Sequence, residues 1–247
     1  FDPTSNEDYF AFYDFFNQSS ENGKTDRSVA VPPSIEYETE RNGKVKVMVM
    51  DSVEKRRDTF ILVKGIYNDV TDQKVTANVP SMLPGLPPRT DGTQYNRLDL
   101  AKWLVSSNNP LTARVTVNRY WQLFFGRGIV STPDDFGLQG SQPTHPELLD
   151  WLAVEFMESD WDIKHLVKLI LTSETYQQSS NAPRDLTGSD PYNSLYARQN
   201  ARRLPAEFIR DNALAVSGLL NPTIGGASAR PYQPAGYYRE LNFPKRT

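Results

Sequence analysis

His145 and His165 are the only two histidines in the chain, and imidazole is the side chain whose charge changes near neutral pH. Either can act as a general base or as a haem ligand. The structural alternative for His145 is a place in a helix first turn marked by Thr144 and Glu147. For His165, between Lys164 and Leu166, it is a half-buried or solvated position on an amphipathic helix. Two histidines this far apart make no metal motif. Asp134 and Asp135 follow Pro133 in a connection between two helices. Paired carboxylates serve acid–base catalysis or hold a hard cation such as calcium, and adjacent aspartates equally serve turn and helix-start amides. Arg114 and Asn118 share a helix face at i, i+4 spacing, with Arg119 beside them. Polar groups there need partners if buried, and Asp134 or Glu147 can supply them. Arg203, Glu207, Arg210 and Asp211 form a second polar set, readable as internal ion pairs or as an anion site. The candidate catalytic residues are therefore His145, Asp134, Asp135 and Arg119. No Gly-rich phosphate loop, serine nucleophile elbow or zinc-helix signature occurs.

The totals narrow the setting of these residues. With 247 residues, 38% of them hydrophobic and 23% charged, the chain has the composition of a globular protein able to bury a core without staples. A net charge of −3, from 27 basic and 30 acidic residues, gives no general attraction to nucleic acid or anionic lipid. The absence of cysteine excludes disulfides, thiolate nucleophiles, Cys-ligated zinc and covalent c-type haem attachment within these residues. No apolar run approaches the ~20 residues of a membrane span. The chain starts at Phe1 with an aromatic run close behind and stops at Pro244-Lys245-Arg246-Thr247 without a helical or strand period. It reads as a piece of a longer polypeptide.

The elements that must position the candidates follow from period and punctuation. Thr4 and Glu7 stand at capping-box spacing, predicting a helix over 6–17 whose aromatics pack a core, with a sugar- or base-stacking platform as the functional alternative. Residues 18–44 read as a loop. Strands are predicted at 45–50 and 59–67, neighbours in a small sheet across the charged connection 51–58. Four prolines in 78–96 make that stretch a linker or wrapped loop. A short helix begins at Arg97. Asn109-Pro110 reads as N-cap and first residue of a helix running to Phe125, closed by Gly126 and Gly128. Thr144-His145-Pro146-Glu147 combines a capping box with a first-turn proline, opening a helix to about Glu158. Ile163, Leu166, Val167, Ile170 and Leu171 form an apolar stripe. A loop at 179–194 precedes a last helix from Pro205 to about Leu220. Trp103, Tyr120, Trp121, Trp151 and Trp161 read as core residues.

Several long motifs carry a resemblance. They are Arg97-Leu98-Asp99-Leu100-Ala101-Lys102-Trp103-Leu104, Asn109-Pro110-Leu111-Thr112-Ala113-Arg114 with Asn118-Arg119-Tyr120-Trp121, and Thr132-Pro133-Asp134-Asp135-Phe136-Gly137. Pro143-Thr144-His145-Pro146-Glu147-Leu148-Leu149-Asp150-Trp151-Leu152, Thr172-Ser173-Glu174-Thr175-Tyr176 and Arg203-Leu204-Pro205-Ala206-Glu207 continue the series. In this order they resemble the carboxy-terminal domain of unknown function of large planctomycete-type proteins, strongly over residues 97–240. Those proteins commonly carry a planctomycete cytochrome c domain and a second uncharacterised domain, and residues 6–17 look like the tail of the latter. The resemblance implies an exported, periplasmic or cell-surface protein. It places haem c on another domain or chain, with no cofactor or metal in this one, and it implies that the family domain continues past Thr247. It carries no activity.

The expected fold is helix-rich α+β. Residues 1–96 hold the tail of a preceding domain, a small β element and a linker; residues 97–247 hold a mainly helical domain, incomplete at its C-terminus. The expected role is an accessory interaction module docking on other domains or chains of a cytochrome-bearing protein, able to self-associate, without a nucleic-acid partner or membrane span. The alternatives are an oxidative or polysaccharide-acting enzyme with its site at His145, Asp134, Asp135 and the nearby arginines, and a structural subunit of a surface assembly.

Overall fold

A computed structural model describes residues 3–19, 34–39, 43–181, 184–201, 203–225, 232 and 236. The elements are α1 (Asn6–Asn17), β1 (Ser34–Thr39), β2 (Gly43–Met48), β3 (Thr59–Leu62), β4 (Val70–Val75), α2 (Arg97–Leu104), α3 (Thr112–Phe125), α4 (Pro146–Glu158), α5 (Ile163–Thr172), α6 (Arg184–Ser189) and α7 (Ala206–Val216). This is the helix-rich α+β class that the sequence indicates. The chain divides into two units, Phe1–Ala201 and Arg202–Thr247.

Ser5 rather than Thr4 caps α1. Its hydroxyl accepts from Asp8 N while the Asp8 carboxylate accepts from Ser5 N, a reciprocal box one residue further along than Thr4 and Glu7 suggest. Phe10, Ala11 and Phe15 are buried, but Tyr9, Tyr13 and Phe16 are exposed, so the aromatic run is only half core. Between those flanks lies Asp14, which is 2% exposed. Its carboxylate accepts from Gln18 Nε2 at 2.8 Å, from Ala77 N at 2.9 Å, from the Thr59 hydroxyl and from the Arg56 guanidinium. A carboxylate leaves water only when it is surrounded in this way. The arrangement ties α1 to the start of β3 and to the chain after β4.

The strand pairing differs from expectation. β1 pairs antiparallel with β2, and β3 with β4, as two separate two-stranded sheets. The expected pairing across 51–58 is thus corrected, and the expected loop 18–44 contains a strand. In the observed register Ile35 faces Val47 and Tyr37 faces Val45. These cross-strand apolar pairs are the contacts that select a partner, and a short hairpin has little loop entropy to overcome.

The helical part follows its caps. Asn109 Oδ1 accepts from Leu111 N and Thr112 N at 3.0 and 3.2 Å, so α3 begins at Thr112, two residues beyond Pro110. Gly126, at φ 79°, ends it as expected. α4 does start at Pro146, but the Thr144–Glu147 box does not form. The Thr144 N–H and hydroxyl both go to Ile129 O, at 3.0 and 3.3 Å, leaving His145 at the N-cap without a side-chain cap bond. α6 interrupts the loop expected at 179–194. In the second unit α7 ends at Val216, and Gly218 follows at φ 73°. Arg210 pairs with Asp211 at 3.3 Å, and the expected Glu207 pairs are absent among the described residues.

The main core of the first unit joins Val117, Trp121 and Phe125 of α3 to Leu149, Leu152 and Phe156 of α4 and to Leu166 and Ile170 of α5. Full burial of each such side chain contributes about 1.5–3 kcal/mol. A smaller cluster packs Phe15 against Ala77, Val79, Leu100 and Trp103. Trp151 departs from the expected core role: it is 51% exposed. Leu149, Leu152, Ala153 and Phe156 fill the inner face of α4, which turns residue 151 outward. No described helix is long and apolar enough to cross a membrane.

Asp8 gives this architecture an acid limit. Backbone N–H groups of Ser5 and Ser81, with both hydroxyls, hold its carboxyl down from 3.8 to about 2. A depressed folded-state value stabilises the fold above the unfolded value and loses that contribution as acid protonates the folded form. Melting temperatures recorded down a pH series should therefore fall between 3.8 and about 2, with a shallower fall in Asp8→Asn.

Candidate functional site

The candidate residues hang from one buried amide. Asn118, 0% exposed at the centre of α3, donates from Nδ2 to Val130 O at 3.0 Å and accepts at Oδ1 from Val130 N at 2.9 Å. It acts as a strand would, satisfying both backbone groups of a residue that has left the helix. Gly128 passes directly beneath it: a Cβ there would lie 2.7 Å from either amide atom and 2.6 Å from Val130 O. Gly128 is therefore a close-approach residue rather than the second helix cap expected.

From that clamp the chain is bonded stepwise to the carboxylates. Ile129 O receives Thr144, which sets where α4 begins. Thr132 Oγ1 accepts from Ser141 N at 2.9 Å and donates to Asp135 O at 2.8 Å. Asp135 Oδ1 accepts from Gly137 N at 2.8 Å, so this carboxylate serves its own turn. Gly140 closes the loop against the Asp135 backbone, where a Cβ would come within 2.1 Å of Asp135 O. Asp134 points elsewhere and meets Arg119 Nη2 at 3.1 Å, with side chains 89% and 61% exposed. The structure thus brings Arg119 to Asp134 and gives Asp135 a separate task.

His145 does not join them through any contact among the described residues. Its Nδ1 lies 3.0 Å from Thr144 Oγ1 and its ring stands 5.5 Å from that of Tyr196. His165 pairs through Nε2 with Glu155 Oε1 at 2.8 Å, bridging α5 to α4. Arg114 reaches Asp150 at 2.6 Å rather than Asp134 or Glu147. Among the described residues no group of three or more His, Asp or Glu side chains is arranged to hold a metal ion.

Sequence reasoning missed the segment 190–200. Asn193 and Tyr196 adopt left-handed backbone at φ 48° and 52°, a conformation that costs a bulky residue about 1–3 kcal/mol. Both are buried. Tyr196 lies edge-on to Trp121 and Phe125, and burial pushes its phenol up. Asp190 accepts from Leu195 N and Ser194 N, and these bonds hold its carboxyl below the usual range. Asn193 Nδ2 donates to Arg198 O at 2.7 Å. Trp121 Nε1, Arg127 Nε, Asn193 Oδ1 and Arg198 Nη1 are buried without a partner among the described residues. The one available signal was the density of turn formers in Asp190-Pro191-Tyr192-Asn193-Ser194.

A family model described as "PSD1: Protein of unknown function (DUF1553)" matches residues 96–246. No match was found among curated proteins or among solved structures.

The clamp and the exposed pair respond differently to truncation. Urea denaturation of Asn118→Ala should show a loss of about 2–5 kcal/mol, because two buried backbone groups lose their partner. Asp134→Ala should leave the midpoint unchanged, since exposed ion pairs contribute little.

Proposed function

The chain belongs to the PSD1 family, described as of unknown function, and on that premise we propose that it is an accessory interaction module rather than a catalytic centre. One observation carries this reading: the polar candidates of the first unit are engaged one by one by separate neighbours. Asp134 is taken by Arg119, Asp135 by Gly137, Arg114 by Asp150 and His165 by Glu155. A catalytic constellation needs several such groups converging on one substrate position in a cleft. Exposed indoles are what interfaces use instead. Trp151 and Val154 stand on the outer face of α4 at 51% and 46% exposure, flanked by Asp150 and Glu147.

The resemblance of the motif strings extends the proposal. The partner is another domain or chain of an exported, cytochrome c-linked protein, and the haem belongs to that partner. A second reading rests on the buried polar atoms beside Tyr196 that have no partner among the described residues. Buried unsatisfied polar groups and left-handed backbone gather at functional sites, and His145 abuts this segment. In that reading the protein is an enzyme with its site between His145 and Tyr196.

Isothermal titration of the chain with the c-type cytochrome domain of the same protein separates the two. The module reading expects saturable binding, weakened about ten-fold by Trp151→Ala and unchanged by Asp134→Asn with Asp135→Asn. No binding, together with a turnover lost in His145→Ala, would overturn it.

A further inference from the structure

The exposed half of the α1 aromatic run faces a groove. Tyr9, Tyr13 and Asn17, four residues apart, form one wall along the helix; Phe60 and Leu62 of β3 with Tyr67 form the other. Its volume is about 440 Å³, within the range of ligand-binding clefts. Tyr9, Tyr13 and Tyr67 remain 60%, 45% and 87% exposed, although each ring would gain by leaving water. The wall is held rigidly from behind, because Asp14 and Asn17 bond α1 to Thr59 at the head of β3. The groove lies before residue 96, outside the segment matched to the family.

We propose that this groove binds an uncharged glycan. A pyranose ring has an apolar C–H face edged by hydroxyls that both donate and accept. Tyrosine offers the complementary pair, a flat ring and a phenolic hydroxyl. The hydroxyls of Tyr9 and Tyr67 make no hydrogen bond among the described residues, so both are available. Asp58, at the rim, adds a carboxylate acceptor for sugar hydroxyls. Among the described residues no Lys or Arg lines the groove, and the nearby Lys74 is paired with Asp58 at 2.6 Å. A phosphate, sulfate or uronate chain would meet the Asp58 carboxylate with no lining cation among the described residues, which disfavours nucleic acid and acidic glycans. A proline-rich peptide offers fewer donors to the Asp58 acceptor than a sugar does, because each proline lacks a backbone N–H. The span from Tyr9 to Asn17 is ~12 Å of helix, long enough for a short oligosaccharide to lie along it.

The test is native affinity electrophoresis of the whole chain in gels containing hydroxyethyl cellulose, arabinoxylan, galactomannan or laminarin, with polygalacturonate and dextran sulfate as acidic comparisons. At least one neutral polysaccharide should retard the chain. Tyr9→Ala with Tyr67→Ala should weaken that retardation about ten-fold or more, with the circular dichroism spectrum unchanged because both side chains are exposed. Tyr9→Phe with Tyr67→Phe, which keeps the rings, should retain most of it. Leu138→Ala, 82% exposed in the loop before α4, should bind as the parent does. Three results would each overturn the proposal: no retardation by any neutral polysaccharide, retardation only by the acidic ones, or equal retardation of the parent and the double alanine variant.

Discussion

A backbone segment that leaves a helix into the core must still satisfy its N–H and C=O groups, and in the helical part of this protein one side chain does so. The Asn118 amide holds both backbone groups of Val130. Ile129, so placed, receives Thr144 and fixes the start of α4; the bonds of Thr132 then shape the loop carrying Asp134 and Asp135. Buried polar groups satisfied on every side rigidify and specify a core. Asp14 plays the corresponding part at α1, where its carboxylate gathers four donors.

On the proposed reading, labour divides between buried polar groups that position and exposed surfaces that recognise. The arginines and carboxylates of the long motifs are mostly consumed in local pairs. Exposed aromatic residues of the first unit include Tyr9, Tyr13 and Tyr67 at the α1 groove and Trp151 on the outer face of α4, besides Tyr37 on β1 and Tyr192. Exposed apolar patches of this kind mark binding sites more often than they mark accidents of packing. The segment at 190–200 stands apart, since it joins left-handed Asn193 and Tyr196 to buried polar atoms that have no partner among the described residues.

How much of this was legible in the sequence depended on range. Helices were readable because their period and caps are local: α1, α2 and α5 fall where spacing predicts, and Leu166 and Ile170 are buried as the stripe requires. The errors came where a distant partner decided. Thr144 matches a capping box but is claimed by Ile129, fifteen residues away. β2 and β3 looked like neighbours, yet Ile35 and Tyr37 match Val47 and Val45 across a nearer hairpin. Trp151 looked like core until α4 had smaller residues to fill its inner face. Of the candidate site, the Arg119–Asp134 contact joined two residues singled out by type, whereas Asn118 could be seen only as a polar residue needing a partner. Its partner is backbone, which sequence does not display.

Amide hydrogen exchange on the chain, alone and with the c-type cytochrome domain added, tests the division between positioning and recognition most directly. Added protection is expected along α4, around Trp151 and Val154, with unchanged exchange at residues 132–140 and at His145. A response centred on Asp134, Asp135 and His145, with α4 unaffected, would contradict it and return those residues to the centre of the chemistry.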